Sequence, residues 1–190
     1  MDIILSIALG ISLAAACGFR VFTPLLVLGL AGRFGELPLT DVLAWTASTT
    51  GLVCLGCATL AETLAYYIPW VDNALDTVST PLALVAGTLM MGGQMEALPD
   101  VMQWGLAIVA GAGSAGAVQV GTTALRAGST ATTGGLGNFI VATGENIMAA
   151  IGSVLAVLAP LLAGLGLVLL CLLGWIVIRR IRRRRNLVTA

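Results

Sequence analysis

Apolar stretches long enough to cross a lipid bilayer follow one another along most of this chain. A hydrocarbon core of about 30 Å needs roughly 20 predominantly apolar residues in a helix. The stretches 3–19, 42–69, 74–92, 104–125 and 161–178 fit that template, and 139–158 fits it although it contains Glu145. The run PLLVLGLAG at 24–32 is too short to cross alone, which predicts a re-entrant or broken helix. The expected fold class is an all-α integral membrane protein of about six transmembrane helices with broken or re-entrant segments. Hydrophobic residues make up 58% of the 190 residues and charged residues 9%, against about one quarter charged in soluble domains. Water is therefore not the main solvent, and a soluble enzyme domain is excluded.

Charge is distributed unevenly. All nine basic residues are Arg, and six of them lie between Arg179 and Arg185, so a net charge of zero hides an acidic body and a basic end. Basic segments stay on the cytoplasmic side, which predicts a transmembrane domain over 1–178 and a cytoplasmic tail over 179–190. Anionic lipid is that tail's expected partner, and no nucleic acid is expected. The aromatic residues Trp45, Tyr66, Tyr67, Trp70, Trp104 and Trp175 fall near proposed helix ends, where interfacial aromatics belong. Ile3 to Phe19 lacks a basic leading region and reads as a retained helix rather than a cleaved signal. Cys54 and Cys57 form a C-x-x-C pair inside an apolar run, with no His anywhere to complete a metal set, and read as packing residues.

The chain also resembles itself, with halves of roughly 1–95 and 98–178. The pattern R-x-x-[ST]-x5-G-L-[AG] occurs at Arg20 and again at Arg126, placing Thr23 opposite Ser129. An acid-Asn pair recurs in the same order, as Asp72-Asn73 and Glu145-Asn146. Repeats built around interrupted helices, with a site at their interface, are characteristic of transporters. The polar segment GSTATTGGLGN at 128–138 is accordingly expected to be at least partly non-helical, and to meet 22–32 near the protein centre.

Ionisable residues inside a bilayer cost about 3 kcal/mol or more each at its centre, and so mark candidate sites. Here they are Arg20, Glu62, Asp72, Asp76, Arg126 and Glu145, joined by Thr23, Ser129 and Asn146 from the repeat. Arg20 and Arg126 are expected to lie close to acidic partners; Glu62 is expected to be protonated or paired with Arg. Asp72 either caps a helix at the interface or joins Asp76, four residues on, in a pair suited to a cation or proton.

Three stretches, ACGFRVFTPLLVLGL, AETLAYYIPWVDNALDTVSTPLALVAGT and LRAGSTATTGGLGN, resemble a bacterial integral-membrane family, domain of unknown function 4126, over about residues 5 to 160. The resemblance implies a multi-pass location in the bacterial cytoplasmic membrane and supplies no activity. The residues themselves favour a transporter or channel for a small solute, ion or lipid headgroup, lined by the nine residues above. Two alternatives stand beside it: a non-transporting membrane scaffold or assembly factor, and a membrane-embedded lipid-modifying enzyme. The chain has no His, no metal-ligand cluster and no G-x-S-x-G elbow, so neither enzymatic activity nor a cofactor or metal is expected. A homo-oligomer is left open.

Overall fold

The structure is a computed structural model, and it describes residues 3–35, 37–68 and 71–169 with the single positions 172, 176 and 179. Trp70, Cys171, Trp175 and the Arg-rich run beyond Arg179 lie outside the described residues. Every regular element among the described residues is helical: α1 (Ile3–Cys17), α2 (Phe22–Phe34), a 3₁₀ turn (Ala44–Ala47), α3 (Thr49–Ala65), α4 (Val71–Gly92), α5 (Asp100–Leu106), a π-helical stretch (Ala107–Ala112), α6 (Gly113–Thr133) and α7 (Asn138–Leu158). A further helix, α8, runs over Pro160–Leu169.

Three of these are long and apolar enough to cross a membrane: Ala74–Gly92 within α4, the continuous rod Asp100–Thr133 made of α5, the π stretch and α6, and α7. The expected stretches shift where local chemistry ends a helix. The run 42–69 yields a 3₁₀ turn and then a 17-residue α3, because the Ser48 hydroxyl accepts a hydrogen bond from the Gly51 amide at 2.9 Å and starts the helix there. The run 3–19 yields a 15-residue helix. Of 161–178, Leu161–Leu169 and the single described positions Leu172 and Ile176 are all helical.

The surface is inverted relative to a water-soluble protein. Ile140, Val109 and Leu158 are each at least three-quarters exposed, while Arg20 and Arg126 are 1% exposed. This is the distribution expected where lipid surrounds the helices and charged groups turn to the interior. The helix α1 lies at the centre, with Leu9, Gly10 and the whole run Ser12–Cys17 buried, and packs on α4, α6, α7 and the π stretch.

Small residues bring these helices together. One close crossing joins α4 to the π stretch, where a Cβ on Gly87 would lie 2.7 Å from the Gly111 carbonyl oxygen, and another joins the end of α1 to α6, where a Cβ on Gly18 would meet the Ala115 carbonyl oxygen. Lipid gives helices no hydrophobic push together, so such close backbone approach supplies the dispersion contact. Gly87→Ala is expected to destabilise the protein by about 1–3 kcal/mol through overpacking. Chemical denaturation in detergent checks this, with Gly105→Ala, which meets open space, as the neutral comparison.

The irregular segments are shorter than expected, and the expected meeting of 22–32 with 128–138 is corrected. The run 24–32 lies in a regular helix, α2, of 13 residues, so the interruption falls before it, at Gly18–Val21. The segment 128–138 is helical as far as Thr133. Two of its hydroxyls fold back onto the helix, with Thr132 Oγ1 donating to the Gly128 carbonyl at 2.9 Å and Thr133 Oγ1 to that of Ser129 at 2.7 Å. Only the turn 134–137 is non-helical, and it begins at Gly134, which takes the left-handed conformation (φ 64°) that ends the helix. The substantial contacts of α2 are with α3, α7 and the 3₁₀ turn, so the stretches 22–32 and 128–138 do not form a central meeting point.

Candidate functional site

The interruption between α1 and α2 creates the site. A helix start leaves backbone N–H groups without intrahelical partners, and lipid offers them none. Pro24, in the first turn of α2, has no N–H to satisfy. Glu62 on α3 satisfies two others: Oε1 accepts from Val21 N at 2.8 Å and Oε2 from Phe22 N at 3.2 Å. Glu62 is thus a helix cap supplied from a neighbouring helix. Of the two states expected for Glu62, protonated or paired with Arg, the Arg pair does not form among the described residues, because the carboxylate oxygens are spent on backbone amides.

With the backbone opened at Gly18–Val21, Arg20 turns inward. Its Nη1 meets Glu145 Oε2 at 2.7 Å, its Nε donates to Asn146 Oδ1 at 2.6 Å, and its remaining bonds go to the carbonyls of Phe19 and Ala142. Glu145 and Asn146, adjacent on α7, therefore hold one guanidinium together. Arg126 on α6 approaches the same carboxylate oxygen, with Nη1 3.2 Å from Glu145 Oε2 and Nη2 2.9 Å from Asp76 Oδ1. One carboxylate thus serves both arginines. None of the three Arg126 nitrogens reaches hydrogen-bonding geometry with an acceptor, and Glu145 Oε1 has no hydrogen-bond partner among the described residues.

Tyr66, 3% exposed at the C-terminal end of α3, lies beneath both arginines: the guanidinium carbons of Arg20 and Arg126 are 3.8 and 4.5 Å from its ring centroid. A desolvated cation over an aromatic ring gains about 2 kcal/mol. The Tyr66 hydroxyl lies 3.0 Å from Ser79 Oγ and 3.3 Å from Asp76 Oδ1. Asp72, Asp76 and Ser79 recur at helical spacing on α4, which turns all three to the interior. Asp72 accepts from Asn138 Nδ2 at 2.7 Å.

Residues 7–180 match the family described as domain of unknown function 4126. The chain belongs to that family. The match runs past the stretch of about 5 to 160 that carried the resemblance in the sequence, and reaches the first arginines of the basic run. No curated protein and no solved structure matches the chain.

Within this DUF4126 protein, a pocket of about 390 Å³ opens beside the charged network, lined by Tyr66, Tyr67, Asp72, Gly134, Asn138 and Phe139 among others. Tyr67 joins it to the rest of the network, since its hydroxyl lies 3.0 Å from Thr143 Oγ1 and accepts from Asn146 Nδ2 at 3.2 Å.

The structure brings together seven of the nine expected residues: Arg20, Glu62, Asp72, Asp76, Arg126, Glu145 and Asn146. Thr23 and Ser129, matched through the repeat, stay out of the polar network. Thr23 is half-buried in the first turn of α2 without a polar contact, and the Ser129 hydroxyl packs against Gly137. Tyr66, Ser79 and Asn138 belong to the network without having been expected there. Tyr66 reads as an interfacial aromatic, yet its spacing of four from Glu62 placed it on that acid's helix face.

Proposed function

We propose that this protein is a transporter or channel for a small solute or ion. The reading rests on the pocket: it is polar in part, it takes lining residues from both halves of the chain, and it shares Tyr66 and Asp72 with the buried ion network. A scaffold requires paired charges but no such cavity. Because Glu145 and Asp76 already engage both arginines, an anionic lipid headgroup is the least supported of the candidate cargoes. Enzymatic chemistry does not form part of this reading.

The same proposal takes the chain as one transmembrane domain of about six passes, formed by α1, α3, α4, the α5–α6 rod, α7 and α8, with α2 re-entrant. It places that domain in the bacterial cytoplasmic membrane, with the Arg-rich tail cytoplasmic against anionic lipid. The internal repeat rests on the matched sequence patterns; across the halves Arg20 pairs with Glu145, while Arg126 pairs with Asp76, one turn on from the Asp72 that the repeat sets opposite Glu145.

Reconstitution into phosphatidylethanolamine–phosphatidylglycerol vesicles tests the function. After osmotic shock with NaCl, KCl, glycerol or glycine, vesicles containing the protein are expected to reswell faster than empty vesicles for at least one solute. Asp72→Asn at the pocket wall is expected to remove most of that difference. Rates equal to those of empty vesicles for all four solutes would favour the scaffold.

A further inference from the structure

The pocket beside the network is walled mainly by rings. Tyr66 and Tyr67 follow α3, Phe139 lies in the first turn of α7, and Leu136 of the connecting turn adds an apolar edge. Tyr67 and Phe139 meet with ring centroids 4.8 Å apart and planes inclined at 51°, a tilted pair of the kind aromatic rings favour. Such a corner presents faces and edges at once, and a third ring packs into it on the same terms. Size permits this, since an apolar cavity of about 150 Å³ holds benzene and this one is about 390 Å³.

The surroundings select against charge. Asp72 is the one charged side chain among the described residues that line the pocket, and it is engaged by Asn138 Nδ2 at 2.7 Å. An anion would meet that carboxylate. A cation would meet Tyr66, whose ring already carries the guanidinium carbons of Arg20 and Arg126 at 3.8 and 4.5 Å. Either ion would also give up its hydration in a mostly apolar lining, while the charges behind Tyr66 are paired with each other, Arg20 with Glu145 at 2.7 Å and Arg126 with Asp76 at 2.9 Å. A neutral ring bears none of these costs. One donor on that ring is accommodated, because α6 ends at Gly134 in the pocket wall, and carbonyls at a helix end are acceptors that intrahelical bonding does not use.

We propose that the pocket binds a small neutral aromatic molecule bearing one hydrogen-bond donor, of the phenol or indole class, in the corner formed by Tyr67 and Phe139. This deepens the transport reading by naming the chemical class of its solute, and it rests on the same pocket. The pocket lies where α3 ends and α7 begins, the depth at which amphipathic rings gather in a bilayer, so such a molecule reaches it from the membrane interface.

Equilibrium dialysis of radiolabelled phenol against the full chain in phosphatidylethanolamine–phosphatidylglycerol nanodiscs, with empty nanodiscs as the blank, tests the proposal. Saturable binding above the blank is expected. As competitors, cyclohexanol, benzoate and benzylammonium are each expected to be about tenfold weaker than unlabelled phenol, or weaker still. Phe139→Ala and Tyr67→Ala are each expected to weaken phenol binding about tenfold, while Leu158→Ala, at the other end of α7, leaves it unchanged. If Tyr67→Ala fails to fold, Phe139→Ala decides, since that side chain is 62% exposed. The site is overturned if phenol shows no saturable binding above the blank, if any of the three competitors matches phenol, or if Phe139→Ala binds phenol like the unsubstituted protein. Saturable phenol binding by a protein that carries neither phenol nor the four shocked solutes across vesicles keeps the site and removes transport. Flux of a shocked solute by a protein that does not bind phenol keeps transport and removes the site.

Discussion

Glu145→Gln is expected to lower stability in detergent by about 3–5 kcal/mol, the cost of removing one partner from a buried charge pair. The effect is large because Glu145 Oε2 is shared, 2.7 Å from Arg20 and 3.2 Å from Arg126, so one substitution strands Arg20 and leaves Arg126 with Asp76 alone. The second substitution that restores stability should follow from the same geometry. Arg20→Gln added to Glu145→Gln leaves Arg126 with Asp76 and is expected to recover at least half the loss. Arg126→Gln added instead leaves Asp76 without its arginine and Arg20 without its carboxylate, and is expected to recover little. Equal recovery by the two double variants, measured by denaturant titration, would refute the shared-acid arrangement.

Glu62→Ala should be comparably severe for a different reason. It exposes no unpaired charge but leaves the amides of Val21 and Phe22 without acceptors at a depth where water does not replace them. Each buried, unsatisfied N–H costs about 1–3 kcal/mol, giving a loss of about 2–6 kcal/mol. Glu62→Gln keeps one carbonyl oxygen to accept from one amide, and is expected to recover about half. Hydrogen exchange at residues 21 and 22 separates this role from an ion pair: protection should collapse in Glu62→Ala and persist in Arg20→Gln. Retained protection at those amides in Glu62→Ala would show that they have another acceptor.

The difference between these two acids shows where reading the chain stopped. That Glu62 and Glu145 are buried follows from their apolar neighbours alone. Which group each one serves does not, because Glu62 lies 41 positions from Val21 and Glu145 lies 125 from Arg20. Partner choice turned on a helix interruption: the non-helical stretch Gly18–Val21 presents two unsatisfied amides to α3, and they take the carboxylate for which an arginine was one expected partner. Tyr66 escaped notice for a related reason. An aromatic near a helix end satisfies the interfacial rule, and only the convergence of α1, α3 and α6 puts two guanidiniums over its ring. Thr132 and Thr133 misled in the opposite direction, since hydroxyls that suggest a route can instead bond within their own helix.

Composition and apolar length by themselves determined that the chain is helical, suited to a membrane and forced to turn its few charges inward, because lipid solvates neither open backbone nor ions. The sequence also carried the family resemblance and seven of the network's residues. Tertiary structure alone decided which acid holds which arginine, where the backbone opens, and that a pocket forms beside Asp72 and Asn138. Those outcomes depend on the close crossings at Gly18 and Gly87, which set the distances between helices to fractions of an ångström; charge pairing and hydrogen bonding vary steeply over that scale, while hydropathy does not register it.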